Sequence, residues 1–170
     1  MEISTGIRTL RSVREYRDEP LPEEVLRQIL DAGRRAQSSK NSQPWQFVVV
    51  QDRARLQQLA QCGTYAGHVA QSAATVVLAT QQENAYDIGQ ATAFMQLAAL
   101  ELGVGSCIIV LHEREQAQAA LGMPDDWSSF YAIAFGYPAA NWQPAKMGGR
   151  RSLDDVVRWE QWDGTGRADE

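Results

Sequence analysis

The stretch Ser38-Ser39-Lys40-Asn41-Ser42-Gln43-Pro44-Trp45-Gln46-Phe47-Val48-Val49-Val50 runs straight from a polar loop into an apolar segment. Phe47-Val48-Val49-Val50 reads as a buried strand. Upstream, Pro22 to Gln37 reads as an amphipathic helix. Val25, Leu26, Ile29, Leu30 and Gly33 recur at helical spacing, while Glu23, Glu24, Arg27, Gln28 and Arg34 face outward. Pro22 suits a first helical turn, and the two glutamates fall where the helix dipole favours negative charge. Downstream, Asp52 can cap a helix running through Leu59. Ala73 to Ala79 then reads as a second strand.

Further along the chain the same alternation continues. Residues 4–12 read as a short helix entering a basic turn. The span Ile88 to Leu102 is apolar on most sides, as a centrally buried helix would be, and Gly103 and Gly105 end it. Ser106–Leu111 reads as a third strand, Glu113–Leu121 as a polar helix, and Phe130–Phe135 as a fourth strand closing on Gly136-Tyr137-Pro138. Helices alternating with strands indicate an α/β (α+β) sheet flanked by helices. Residues 139–170 are rich in Trp, Gly and charge with little core pattern. They form an extension to a core at 1–138 and need something else to pack against.

The chain has 170 residues, about one domain, enough to build its own core. A net charge of −5 argues against broad nucleic-acid binding, though not against a local basic pocket. Arginine dominates the basic residues, and the only lysines are Lys40 and Lys146. Cys62 and Cys107 lie far apart and form no CxxC. Cys107 sits in an apolar run and reads as a buried thiol. His68 and His112 are isolated, so no metal site is expected. No signal-peptide-like stretch and no long apolar run occurs, which makes a cytoplasmic protein with no membrane partner the expectation.

Four segments can carry chemistry. Arg11-Ser12-Val13-Arg14 places two guanidinium groups around a hydroxyl and can grip a dianionic phosphate; solvated arginines are the competing reading. Ser38 to Trp45 crowds hydroxyls and amides ahead of a buried strand, with Pro44 expected to hold Gln43 extended. Asn41 and Gln43 amides can both donate and accept, which suits the pyrimidine edge of an isoalloxazine ring; an ordinary turn with Trp45 as a core plug is the alternative. Gly103-Val104-Gly105-Ser106 follows a helix and precedes a strand, the reverse of a dinucleotide fingerprint. Those glycines read as a helix C-cap and tight turn, although the strand beyond can expose backbone amides to a ligand. Arg150-Arg151 is a second cationic cluster that could complete a phosphate site or lie in a basic tail. No GxSxG, HExxH or Walker loop is present, and no catalytic side chain is assigned. A cofactor that brings its own chemistry fits such a chain.

In order along the chain, these segments resemble the nitroreductase-like family of FMN oxidoreductases. Arg11-Ser12-Val13-Arg14-Glu15-Tyr16 is similar to the N-terminal phosphate motif. Ser38-Ser39-x-Asn41-x-Gln43-Pro44-Trp45-x-Phe47 is similar to the flavin-edge loop and is the most specific element. Leu102 to Cys107 resembles the turn before the flavin-lining strand, Gly136-Tyr137-Pro138 the end of the last core strand, and Gly149 to Val157 the C-terminal basic motif. Leu10 stands where many members carry another arginine, and the span between Thr80 and Ile88 is short for the family. The resemblance implies a central mixed sheet and a homodimer with FMN at the subunit interface. It implies that Arg11, Ser12 and Arg14 of one subunit hold the phosphate, helped by Arg150 or Arg151, with Ser38, Ser39 and Asn41 brought by the other and Gln43 also binding the cofactor. Backbone amides around Ile109 and Val110 would lie near the flavin N5. The implied activity is ping-pong hydride transfer from NAD(P)H to a nitroaromatic, quinone or similar acceptor. The alternatives are a flavin-binding protein without turnover, or a flavin-fragmenting or dehalogenating relative.

Overall fold

The computed structural model describes residues 1–81, 85–145 and 149–162. Four strands form one sheet: β1 (Gln46–Val50), β2 (Ala74–Thr80), β3 (Gly105–Val110) and β4 (Ser128–Gly136), in the order β1-β2-β4-β3. All three ladders are antiparallel. The only parallel pairing among the described residues is the single bridge between Ser12 and Ser106 at the β3 edge. The mixed character expected of the sheet is therefore confined to that bridge.

Both faces of the sheet are covered, so every residue of β2 is buried. Alternation along the strands divides the core in two. On one side Val76, Leu78, Ile133 and Phe135 pack with Ile29 of α2 (Glu23–Arg34) and Met95 of α4 (Ala85–Glu101). On the other, Val77, Ile109, Ala132 and Ala134 pack with Leu56 and Leu59 of α3 (Arg53–Leu59) and Ala117 of α5 (Arg114–Leu121). Val69, from the 3-10 turn Gly67–Gln71, joins that second layer. Two further helices are peripheral: α1 (Ile3–Thr9), and the four-residue α6 (Leu153–Val156), which has no buried residue. Among the described residues no helix is long and apolar enough to cross a membrane.

Local chemistry sets the boundaries. Asp52 accepts from Arg55 N at 3.0 Å, the expected cap of α3. α2 stops at Arg34 rather than Gln37, with Arg35 and Ala36 N–H groups turning back to Ala32 and Gly33 in 3-10 fashion. α4 ends on Gly103 at φ 72, with Val104 N donating to Ala99 O at 2.8 Å and Gly103 N to Leu100 O at 3.1 Å. This is a Schellman cap, which needs the left-handed residue that glycine supplies most easily.

One local expectation is corrected. Gln43 is not extended: its φ is 48, alongside Lys40 at 53 and Asn41 at 55. The steric bias before proline is overridden here by tertiary anchoring. Gln43 N donates to Ser38 Oγ at 2.9 Å, Trp45 N donates to Gln43 O at 2.8 Å, and Trp45 is buried. Such left-handed non-glycine residues each cost about 1–3 kcal/mol and persist only where their surroundings fix them.

Candidate functional site

The segment Ser12–Arg17 is laid against the start of β3 and the end of β4. Val13 N donates to Ser106 O at 2.9 Å, and Arg17 N to Tyr137 O at 2.9 Å. The approach is close enough that a Cβ on Gly105 would stand 2.7 Å from Val13 Cβ. Tyr16 fixes the segment from within: its hydroxyl donates to Val13 O at 2.6 Å, and burial keeps it protonated by pushing its pKa far up. Arg14 is thereby held on the solvent side of the open β3 edge.

Strand parity says which amides that edge presents. Leu111 N donates to Phe130 O at 2.8 Å, towards β4, whereas Ser106 O faces away to Val13. Backbone groups alternate along an edge strand. Ile108 and Val110 therefore direct their amides to the open edge, while those of Cys107 and Ile109 lie in the β4 ladder. Of the two amides expected near a flavin, Val110 is on the open side and Ile109 contributes its buried side chain instead.

A cleft of about 370 Å³ runs along this edge, lined by Arg14, Tyr65, His68, Ile108, Ile109, Val110 and His112. No carboxylate lines it. His68 carries a buried Nε2 with no hydrogen-bond partner. Burial first and the Arg14 charge second hold its pKa below the ordinary histidine value, against a backbone hydrogen bond to Tyr65 that raises it. His112 Nδ1 accepts from Thr64 N at 3.3 Å. Cys107 is buried behind the same edge; burial pushes its thiol up, opposed by Arg14 and by a hydrogen bond from Ser12. A small anion or an acceptor-rich planar ring fits such a positive, acid-free cleft.

The Nitroreductase family matches this chain over residues 7–81 and 65–137. A candidate NADH dehydrogenase/NAD(P)H nitroreductase of Archaeoglobus fulgidus is 35% identical over 168 residues, covering 92% of this chain and 96% of that one. The chain belongs to the nitroreductase family. An NADH dehydrogenase of Thermus thermophilus is 28% identical over 200 residues, with 94% and 96% of the two chains covered. The FMN-dependent nitroreductase of Clostridium difficile R20291 superposes with a TM-score of 0.84 at 26% identity, covering 94% of this chain and 100% of that one.

Within this member of the family the remaining sequence-expected residues are dispersed. Arg11 does not face the Arg14 cleft. Its guanidinium donates to Arg8 O and Leu10 O, both at 2.8 Å, and so closes the C-terminus of α1. It borders a second cleft of about 260 Å³ with Val13, Leu100, Val104 and Trp142. Ser12 is exposed beside β3. Ser38, Ser39, Asn41 and Gln43 lie before β1, on the opposite edge of the sheet, with Ser39 N reaching Asp87 Oδ2 at 3.4 Å. Three strand spacings, about 14 Å, separate the two edges, so one chain does not bring Asn41 to Arg14. Arg150 and Arg151 are exposed in the C-terminal segment, where Arg151 donates to Asp155 O. Sequence reasoning missed His68, His112 and Tyr65. No spacing motif marks them; no element had been assigned between Leu59 and Ala73, where Tyr65 and His68 lie, and His112 stood alone in the turn after the third strand.

Proposed function

We propose that this chain binds FMN in the Arg14 cleft and works as an NAD(P)H-dependent oxidoreductase. The observation that carries the reading is the coincidence, in one acid-free cleft, of a guanidinium, two outward amides and a buried ring nitrogen without a partner. A phosphate suits Arg14, and the carbonyl and nitrogen acceptors of an isoalloxazine suit the amides of Ile108 and Val110. When bound, FMN would accept hydride from NAD(P)H at N5 and deliver it to a nitroaromatic, quinone or similar acceptor in a ping-pong cycle.

The chain's own residues bind and orient. Arg14 and Ser12 hold the phosphate end, and the open edge of β3 fixes the ring. Ser38, Ser39, Asn41 and Gln43 come from a second copy of the chain, because their loop projects from the far edge with its left-handed turns exposed. The site is therefore shared in a homodimer. Arg150 or Arg151 closes it from the extension beyond residue 138, whose described residues 139–145 and 149–162 would pack on the core or its partner.

Anaerobic titration tests this. FMN-loaded protein is expected to bleach on adding NADH or NADPH and to recover colour with a nitroaromatic or quinone. Protein that stays colourless after FMN addition refutes the cofactor. Bound flavin that no nicotinamide bleaches refutes the activity and leaves a binding protein.

A further inference from the structure

Among the described residues, His68 is the histidine with a ring nitrogen that is both buried and unpartnered. The backbone contact with Tyr65 that raises its pKa favours a donor on the ring; with Nε2 unpartnered, the proton of the neutral ring is assigned to Nδ1. In that tautomer a neutral imidazole offers only a lone pair at Nε2; protonated, it offers an N–H. The free protein favours the neutral form, because burial and the Arg14 charge both oppose a second positive charge. An anion seated on Arg14 cancels that repulsion, and an acceptor facing Nε2 gives the added N–H a partner. Both changes favour the charged ring.

We propose that His68 contacts FMN directly and takes up one proton from solvent as the anionic cofactor enters the Arg14 cleft. This inference rests on the FMN reading above. No bond of the cofactor or of the chain breaks; a solvent or buffer acid gives up its proton to Nε2, and the new N–H donates to the ligand. The other groups facing His68 do not compete for it. Arg14 is permanently charged. Tyr16, whose ring centroid is 6.5 Å away, and Cys107 behind β3 are already protonated, both pushed up by burial. Tyr65 contributes its carbonyl. His112 is engaged elsewhere, its Nδ1 accepting from Thr64 N at 3.3 Å.

By linkage, a group protonated on binding makes affinity rise as pH falls between its free and bound values. Calorimetry of FMN binding in two buffers of different ionisation enthalpy, at about pH 7, counts protons per FMN. The intact protein is expected to take up about one more proton than His68→Gln, and its Kd to tighten by up to about tenfold per pH unit over that range. FMN's own phosphate titrates equally in both proteins and cancels. The His68 ring resonance of the unmutated protein gives a readout independent of whether the variant folds: its titration midpoint should move up by about one pH unit or more on FMN loading. An unmoved midpoint, or equal proton uptake by both proteins, overturns the role of His68 while leaving FMN binding intact. No FMN binding at any pH overturns both readings.

Discussion

Replacing Gly105 with alanine tests how Arg14 is placed. The new Cβ would lie 2.7 Å from Val13 Cβ and 2.8 Å from both Val13 Cγ atoms. Comfortable carbon–carbon contact is about 3.5–4.0 Å, so Val13 must retreat by about 1 Å. A β-branched side chain with no soft torsion cannot do this alone. The backbone of residues 12–14 must lift, stretching the Val13 N–H to Ser106 O bond of 2.9 Å. Overpacking of this kind costs about 1–3 kcal/mol, a fall in Tm of a few degrees for a chain of this size. Arg14 moves with the segment, so FMN affinity should fall together with stability. Urea unfolding and flavin-fluorescence titration measure the two. Unchanged midpoint and unchanged Kd would show that residues 12–14 do not lie on Gly105, and the placement of the cleft would fail with them.

Other outcomes follow from the same structure. Arg14→Ala should weaken FMN by about 10–100-fold, the loss of a charge-assisted contact, with little change in unfolding midpoint because the side chain is exposed. Asp52→Ala should lower stability by about 1 kcal/mol in urea, as α3 loses its cap. Cys62 and Cys107 are buried, with thiols pushed up by that burial, so at about pH 8 a thiol reagent should label neither until the chain unfolds. Asp31 is held below the usual carboxylate range, first by its hydrogen bond from Arg35. Its contribution is present above the ordinary value and fades as pH falls through the folded one, so Asp31→Asn should slightly flatten the acid limb of a stability–pH curve.

The order of elements was legible because local chemistry and packing agree there. Val25, Leu26, Ile29 and Leu30 form a stripe that α2 does bury or half-bury, and Asp52 caps where a capping residue should. The four strands fall within two residues of their sequence reading. Gln43 was misread because a bias set by its neighbour Pro44 yields to Trp45, whose burial fixes the loop from outside. Ile109 differs from Val110 by parity, which depends on which way β3 meets β4 and cannot be read from one strand. Arg11 and Arg14 look equivalent in sequence, but Arg11 folds back on the α1 carbonyls while Val13 and Tyr16 turn Arg14 to the other side. His68 had no signal at all: an isolated histidine in a loop gains its meaning only when β3, Tyr65 and Arg14 surround it.

Subunit mixing addresses the shared flavin site most directly. If Arg14 of one chain and Asn41 of the other form each site, an Arg14→Ala protein and an Asn41→Ala protein should each bind FMN weakly. In a two-fold dimer mixed from equal parts of both, half the dimers are hybrids with one intact site of two, so about a quarter of all sites should regain tight binding. If mixing restores none, every site carries a lesion whichever chains pair, and the pocket assembled from two chains is contradicted.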